Sequence, residues 1–355
     1  MDILKQLQIE LGIKASQVEN TVKLLDEGNT VPFIARYRKE VTGSLDDQII
    51  RQLAERLTAL RNLEEKREMV RNAITEQGAM TDELSAKLEA AMTQTEIEDI
   101  YRPYRPKRRT RASIAKEKGL APLAEYIFGQ AFLVPLEEYA AAFVDVEKGV
   151  ESVEDAINGA KDILAEQFSD DADLRKMLRE ETVKHGQLVT KAAKEQTEPT
   201  VYEMYYDYSE PLQKAAGHRI LAVNRGEKEG ILTVKLEAPE EEIIRYLEKK
   251  TIRRENPYTT PYLKEAVADS YQRLIAPAIE REIRNSLTEE AQEGAIRVFG
   301  KNLEQLLMQP PIRGQVVLGW DPAFRTGCKL AVVDATGKVL DTVVIFPTAP
   351  QNKVA

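Results

Sequence analysis

From Ile3 to Pro310 apolar residues recur three and four positions apart, with Gly or Pro where each run should stop. That period commits the chain to a multi-helical body, because a strand alternates every second residue. Ile3, Leu7 and Leu11 make one stripe closed by Gly12, and Val18, Val22 and Leu25 a second, with Ser16 as N-cap and Gly28 as stop. A third begins at Thr30-Val31-Pro32, where Pro suits an early helical position, and carries Arg36, Arg38 and Lys39 toward Gly43. The longest helix is predicted to start at Ser44, with Asp47 as an acidic capping-box partner, and to run through Ile50, Leu53, Leu57 and Leu60 toward Gly78. About thirty residues project roughly 45 Å at 1.5 Å per residue. Leu84, Leu88 and Met92 are predicted to fold back along it, giving a helical hairpin over about 44–100 whose two apolar faces bury each other. A partner-binding coiled coil is the alternative use of those faces.

The rhythm changes twice. Gly186 to Lys191 and Gly230 to Ala238 have the β-branched content of short strands, and HRILAVNRGEKEG between them reads as a helix. Helices resume over Pro239–Lys250, from Thr260 to about Leu287, and from Thr288 through Leu306, and Pro310-Pro311 ends the helical body. Beyond it VVLGW, KLAVVD and KVLDTVVIFP are three β-rich runs, the pattern of an antiparallel meander. The expected fold is therefore mainly α, with a small mixed α/β segment, and two regions, 1–311 and 312–355. Three strands alone bury little, so the meander is expected either to pack on the helical body or to open a domain that the chain does not finish.

The 355 residues carry 50 Lys+Arg against 59 Asp+Glu, a net charge of −9 that excludes a globally basic nucleic-acid coat. No apolar run is long enough to cross a bilayer, and MDILKQLQIELGIK lacks the basic-then-apolar order of a secretory signal, so no membrane partner and a cytoplasmic location are expected. Cys328 has no second cysteine to pair with, and with only His185 and His218 beside it no structural zinc site of the His/Cys kind can be assembled. Neither histidine stands in a nucleophile motif, and no cofactor is expected.

Residues 101–118, YRPYRPKRRTRASIAKEK, break the charge pattern. Arg102, Arg105, Lys107, Arg108, Arg109, Arg111, Lys116 and Lys118 face Glu117 alone, a local +7 that leaves −16 on the rest. Guanidinium groups bind phosphate in bidentate fashion and stay charged at physiological pH. Pro103 and Pro106 are expected to hold residues 101–106 extended, with Tyr101 and Tyr104 free to stack on unpaired bases. The competing readings are that these cations neutralise acidic helices of the same molecule or contact an acidic protein. Acidic residues do dominate 137–173, on helix faces opposite Val153, Ile157, Ile163, Leu164 and Phe168. Asp170, Asp171 and Asp173 lack the spacing of an EF-hand.

Three smaller sites accompany the run. Arg36, Arg38 and Lys39 suit a phosphate backbone in the manner of a helix-turn-helix, or a plain exposed basic helix. His218, Arg219, Asn224, Arg225 and Lys228 suit a network bracing helix against strand, or a ligand site. Asp321 follows the strand Val316–Trp320, where ribonuclease H-like enzymes place a metal ligand. A two-metal site needs several carboxylates, and only Asp334 is at hand to join it. Asp321-Pro322 also suits a turn whose carboxylate caps local N–H groups. Asp321 is thus a weak metal candidate, and no catalytic residue is assigned.

Four ordered segments carry a resemblance: TVPFIARYRKEVTGSLD (30–46), YRPYRPKRRTRASIAKEKGLAPLA (101–124), HRILAVNRGEKEG (218–230) and VLGWDPAFRTGCKLAVVDATGKVL (317–340). Together they resemble the bacterial Tex family of transcription accessory proteins. The resemblance implies a helical N-terminal region, a YqgF-type ribonuclease H-like domain, helix-hairpin-helix modules and an RNA-binding S1 domain, and kinship with a eukaryotic elongation factor. It implies that this sequence covers the first region and the opening strands of the second. The role implied is a nucleic-acid-binding scaffold without catalysis. The alternatives are a module docking on transcription or ribosome-associated proteins and a metal-dependent nuclease fragment. Trp320 stands where the family usually has a smaller aliphatic, and Ala323 where it usually has Gly, so strain is expected at Ala323.

Overall fold

The computed structural model describes residues 2–106, 108–130, 134–193, 199–310, 312–323, 325–347 and 349. Lys107 and Pro311 lie outside them. The fold is mainly helical, with two three-stranded sheets, and divides into two compact units, Met1–Glu289 and Glu290–Ala355.

In the first unit, α1 (Ile3–Leu11), α2 (Ala15–Asp26) and α3 (Val31–Tyr37) pack along α4 (Asp47–Glu76). Leu7, Val18 and Val22 share a core with Leu53, Leu57 and Leu60, while Leu24 and Ile34 share one with Leu45 and Ile50. The long helix starts later than expected. Ser44 takes φ +61° in a left-handed turn, and Asp46 is the cap, its carboxylate accepting from Ile49 N at 2.8 Å. The returning arm is two helices, α5 (Asp82–Ala90) and α6 (Gln94–Tyr101), because Thr93 restarts the chain as a new N-cap. Leu88 is buried against Val70 and Ile74 as the apolar spacing requires, but Met92 is exposed.

Four helices follow: α7 (Arg111–Glu117), α8 (Ala121–Phe128), α9 (Leu136–Ala141) and α10 (Val153–Ser169), the last of which packs on the other three. Gly159 lets α10 approach closely, since a Cβ there would collide with Leu120 and press on Ala115. Beyond α11 (Ala172–His185) lies an antiparallel sheet of β1 (Gln187–Ala192), β2 (Asp207–Pro211) and β3 (Leu232–Glu237) in the order β2-β1-β3. The strand β2 had no sequence signal: DYSEP lacks β-branched residues and ends in Pro, which an edge strand tolerates. The helix α12 (Gly217–Lys228) braces this sheet. Arg219 donates to Glu210 of β2 at 3.0 and 2.6 Å, and Asn224 to Thr288 at 2.8 Å, so these two members of the His218–Lys228 cluster brace the helix.

Then come α13 (Glu240–Thr251), α14 (Thr260–Asp269), a π-helical stretch Ser270–Ile275, and α15 (Ala276–Leu307). The break expected at Thr288 is absent. Its hydroxyl donates back to Arg284 O at 2.7 Å, a bond made inside a helix, and so does not act as an N-cap. In the second unit β4 (Val317–Asp321), β5 (Cys328–Val333) and β6 (Val339–Ile345) form the expected antiparallel meander. Ala323 is not strained, because the non-glycine residues with positive φ among the described ones are Ser44 and Gln130.

Candidate nucleic-acid interface

The basic run leaves α6 as a 3₁₀ turn, Arg102–Tyr104, closed by Arg105 N donating to Tyr101 O at 3.0 Å. Residues 101–104 are therefore coiled, contrary to the extended backbone expected from the two prolines. Pro103 fits because the early N–H groups of a helical turn need no partner. The aromatic rings also depart from expectation. Tyr101 and Tyr104 pack against the Leu63, Val70, Leu88 and Ile97 core, and the Tyr104 carbonyl accepts from Gln77 at 2.9 Å. Both rings are half-buried, so they anchor the turn instead of standing free of the fold.

Thr110 ends the irregular stretch and caps α7: its hydroxyl accepts from Ser113 N at 3.0 Å, and Ser113 Oγ accepts from Thr110 N at 2.8 Å. Ala112 and Ala115 are buried, while Arg111 and Lys116 on the same helix are exposed. Arg105, Arg108 and Arg109 are exposed as well. Among the described residues Arg105 and Arg108 have no carboxylate partner, and Arg109 reaches only Glu117 at 3.9 Å. Arg102 differs. It is half-buried, with Nε 3.3 Å from Asp170, so intramolecular neutralisation by the acidic 137–173 stretch reaches this residue. Two neighbouring acids are used elsewhere: Asp171 caps α11 by accepting from Leu174 N at 2.9 Å, and Asp173 pairs with Lys87 at 3.3 Å, which raises the Lys87 pKa.

Arg36 lies on α3, with Arg38 and Lys39 just past its end, and all three are exposed without a carboxylate partner among the described residues. Arg38 sits over the Phe33 ring, 5.0 Å from its centroid. Asp321 is exposed at the end of β4, and no hydrogen bond to its carboxylate is present among the described residues, while Phe324 of the same turn lies outside them. Asp334 caps a different turn, the one between β5 and β6, its carboxylate accepting from the Thr336 hydroxyl, from Thr336 N at 2.8 Å and from Lys338 N at 3.0 Å, bonds that hold its pKa low. No group of three or more His, Cys, Asp or Glu side chains among the described residues is placed to hold a metal ion.

No local sequence pattern marks the support beneath the run. Arg175, fully buried on α11, donates to Asp99 at 2.6 Å and to Glu282 at 2.7 Å, and Arg179 one turn on donates to the same two acids at 2.8 and 2.7 Å. Burial opposes the Arg179 charge, but the bonds to Asp99 and Glu282 outweigh it and raise the pKa. This network ties α6, which launches the basic run, to α11 and α15. Its members are spread from residue 99 to 282, so local pattern could not connect them. No helix among the described residues is long and apolar enough to cross a membrane.

With this arrangement in view, comparison with known proteins is consistent along the chain. Residues 1–75 match the Tex-like protein N-terminal domain, residues 133–299 the Tex central region-like family, and residues 315–355 the Tex protein YqgF-like domain. The chain is 50% identical over 355 residues to the uncharacterized protein YdcI of Bacillus subtilis, covering 98% of this chain and 49% of that protein. It is 40% identical over 361 residues to the transcriptional accessory protein Tex of Neisseria gonorrhoeae, covering 100% and 47%. A human protein, S1 RNA-binding domain-containing protein 1, is 30% identical over 359 residues, covering 97% and 36%. The chain belongs to the Tex family. It spans about half the length or less of these relatives.

Proposed function

We propose that this chain is the nucleic-acid-binding, non-catalytic scaffold portion of a cytoplasmic Tex-type transcription accessory factor. In this reading residues 1–311 form the Tex-like helical region and residues 312–355 begin the YqgF-type domain. The observation that carries it is that Arg105 and Arg108 are exposed and lack an acidic partner among the described residues, in a chain of net charge −9. A molecule with a surplus of carboxylates that leaves these guanidinium groups unmatched keeps them available for phosphate. Arg102, Arg109, Arg111, Lys116 and Lys107 extend this surface in the proposal, and Arg36, Arg38 and Lys39 supply a second contact. Relatives named for transcription accessory function and for RNA binding support the same reading. Docking on a transcription or ribosome-associated protein is kept as an outcome of the test.

Replacing Arg105, Arg108 and Arg109 by Ala should weaken RNA or DNA binding at low salt and reduce the slope of log affinity against log salt by about one per lost phosphate contact. Fluorescence anisotropy over a salt series measures it. Unchanged affinity and slope, or no binding by the unaltered chain, would overturn the proposal. Protein partners that survive nuclease digestion in a pull-down would then favour docking.

A further inference from the structure

A cavity of about 640 Å³ opens beside the basic run, lined among others by Lys66, Asp99, Arg102, Arg105, Arg108 and Arg175. Arg175 is fully buried, and two of its three guanidinium nitrogens are used by Asp99 and Glu282. The third, Nη1, is buried and has no hydrogen-bond partner. A buried cationic N–H left unpaired is costly, so its environment is built for an acceptor.

Charge matching around the cavity points the same way. Arg175 and Arg179 are balanced by Asp99 and Glu282, Lys66 by Glu98 at 2.9 Å, and Arg102 by Asp170 at 3.3 Å. On the same lining Arg105, Arg108 and Arg109 outnumber the one remaining carboxylate, Glu166, and Arg105 and Arg108 form no ion pair among the described residues. The surplus is positive and the unused buried donor is cationic, which selects an anion with several acceptor oxygens.

We propose that this cavity is a phosphoryl-binding pocket, taking a terminal phosphate against Arg175 with Arg102, Arg105 and Arg108 around it. The inference deepens the reading of the basic run as a phosphate-contacting surface and rests on it. A terminal phosphate carries about −1.5 to −2 charge and three free oxygens, and it can enter a cavity that has a buried residue in its wall. An internal phosphodiester continues on both sides and suits the open surface of α7 instead. The group can come from the 5′ end of a nucleic acid or from free phosphate.

The test uses the full chain with 5′-phosphorylated and 5′-hydroxyl single-stranded RNA of one sequence, and inorganic phosphate alone by titration calorimetry. The phosphorylated strand should bind about tenfold tighter, the scale of one charge-assisted hydrogen bond. Arg175→Lys should bring that ratio to about one, the lysine having no planar fork to place a donor at Nη1. Thermal melting checks that this variant folds, and Arg102→Gln, at a half-buried position, makes the same measurement without touching the buried network. A preference for the 5′-phosphate supports capture of a strand end. Phosphate binding that disappears in both variants, without strand preference, supports the pocket with free phosphate as source. Phosphate binding by a chain that binds no RNA or DNA keeps the pocket and removes the surface reading. Equal affinity for the two strands with no phosphate binding overturns the pocket and leaves the surface reading intact.

Discussion

Arg67 and Arg175 on one side, and Arg105 and Arg108 on the other, are the same residue in opposite circumstances. Arg67 is fully buried on α4, donating to the carbonyls of Leu88 at 2.8 Å and Ala91 at 2.6 Å and pairing with Glu64. Those carbonyls belong to the end of α5, where a helix has acceptors without internal partners. Arg175 holds α6 to α11 and α15 through Asp99 and Glu282. Arg105 and Arg108 bond to none of these and face outward. Arg67 is committed to holding helices together, Arg175 does so with two of its three guanidinium nitrogens, and the second pair is left uncommitted. An arginine's role in this chain is thus set by whether a carboxylate or helix end meets it in three dimensions, which residue type does not reveal.

If this division is right, the largest effect comes from the buried side. Asp99→Ala leaves Arg175 and Arg179 short of an acid and should cost about 3–5 kcal/mol, read from the urea midpoint. A loss near zero would mean that the buried network is not structural. Arg67→Met keeps the apolar stem but orphans two carbonyls, and about 2–3 kcal/mol is expected in the same measurement. By contrast Arg105→Ala with Arg108→Ala should alter stability by less than about 0.5 kcal/mol while lowering RNA affinity; a large stability loss would place these residues in the first class. Arg36, Arg38 and Lys39 changed together to Ala should reduce affinity less than the 105–108 pair does, and a larger reduction would move the main contact to α3.

The smallest effect concerns pH. Glu10 and Asp26 tie α1 and α2 to α4 through Arg56 at 2.5 Å and Arg61 at 2.7 Å, and those hydrogen bonds hold both carboxyls below their ordinary pKa. A carboxyl depressed in the folded state stabilises above its unfolded pKa, and that contribution is lost as pH falls through the folded one. Stability should therefore decline through and below the ordinary carboxylate range. Glu10→Gln with Asp26→Asn should flatten that decline slightly, both pairs being largely exposed.

Much of the architecture was legible beforehand. Leu7 with Val18 and Leu53, Leu88 with Val70, and the β4–β6 meander all follow from period, because burying an apolar stripe needs only the residues on that stripe. Boundaries were less so: Ser44, Thr288 and Thr93 are all good caps, and only Thr93 acts as one, since neighbouring turns decide which hydroxyl meets a free N–H. The strand β2 was invisible because its pairing to β1 comes from backbone bonds. Within the candidate site the exposure of Arg105, Arg108, Arg109, Arg111 and Lys116 followed from charge, whereas Tyr101 and Tyr104 turned inward and Arg102 found Asp170.

By itself the sequence determined a helical body, the meander that follows it, family membership and the place of the positive charge, because period and composition are local properties. Tertiary structure alone decided which of those charges are spent. Asp99, Arg175 and Glu282 lie far apart in the chain and meet in one buried network, and only that meeting shows which guanidinium nitrogens hold the fold and which are left over.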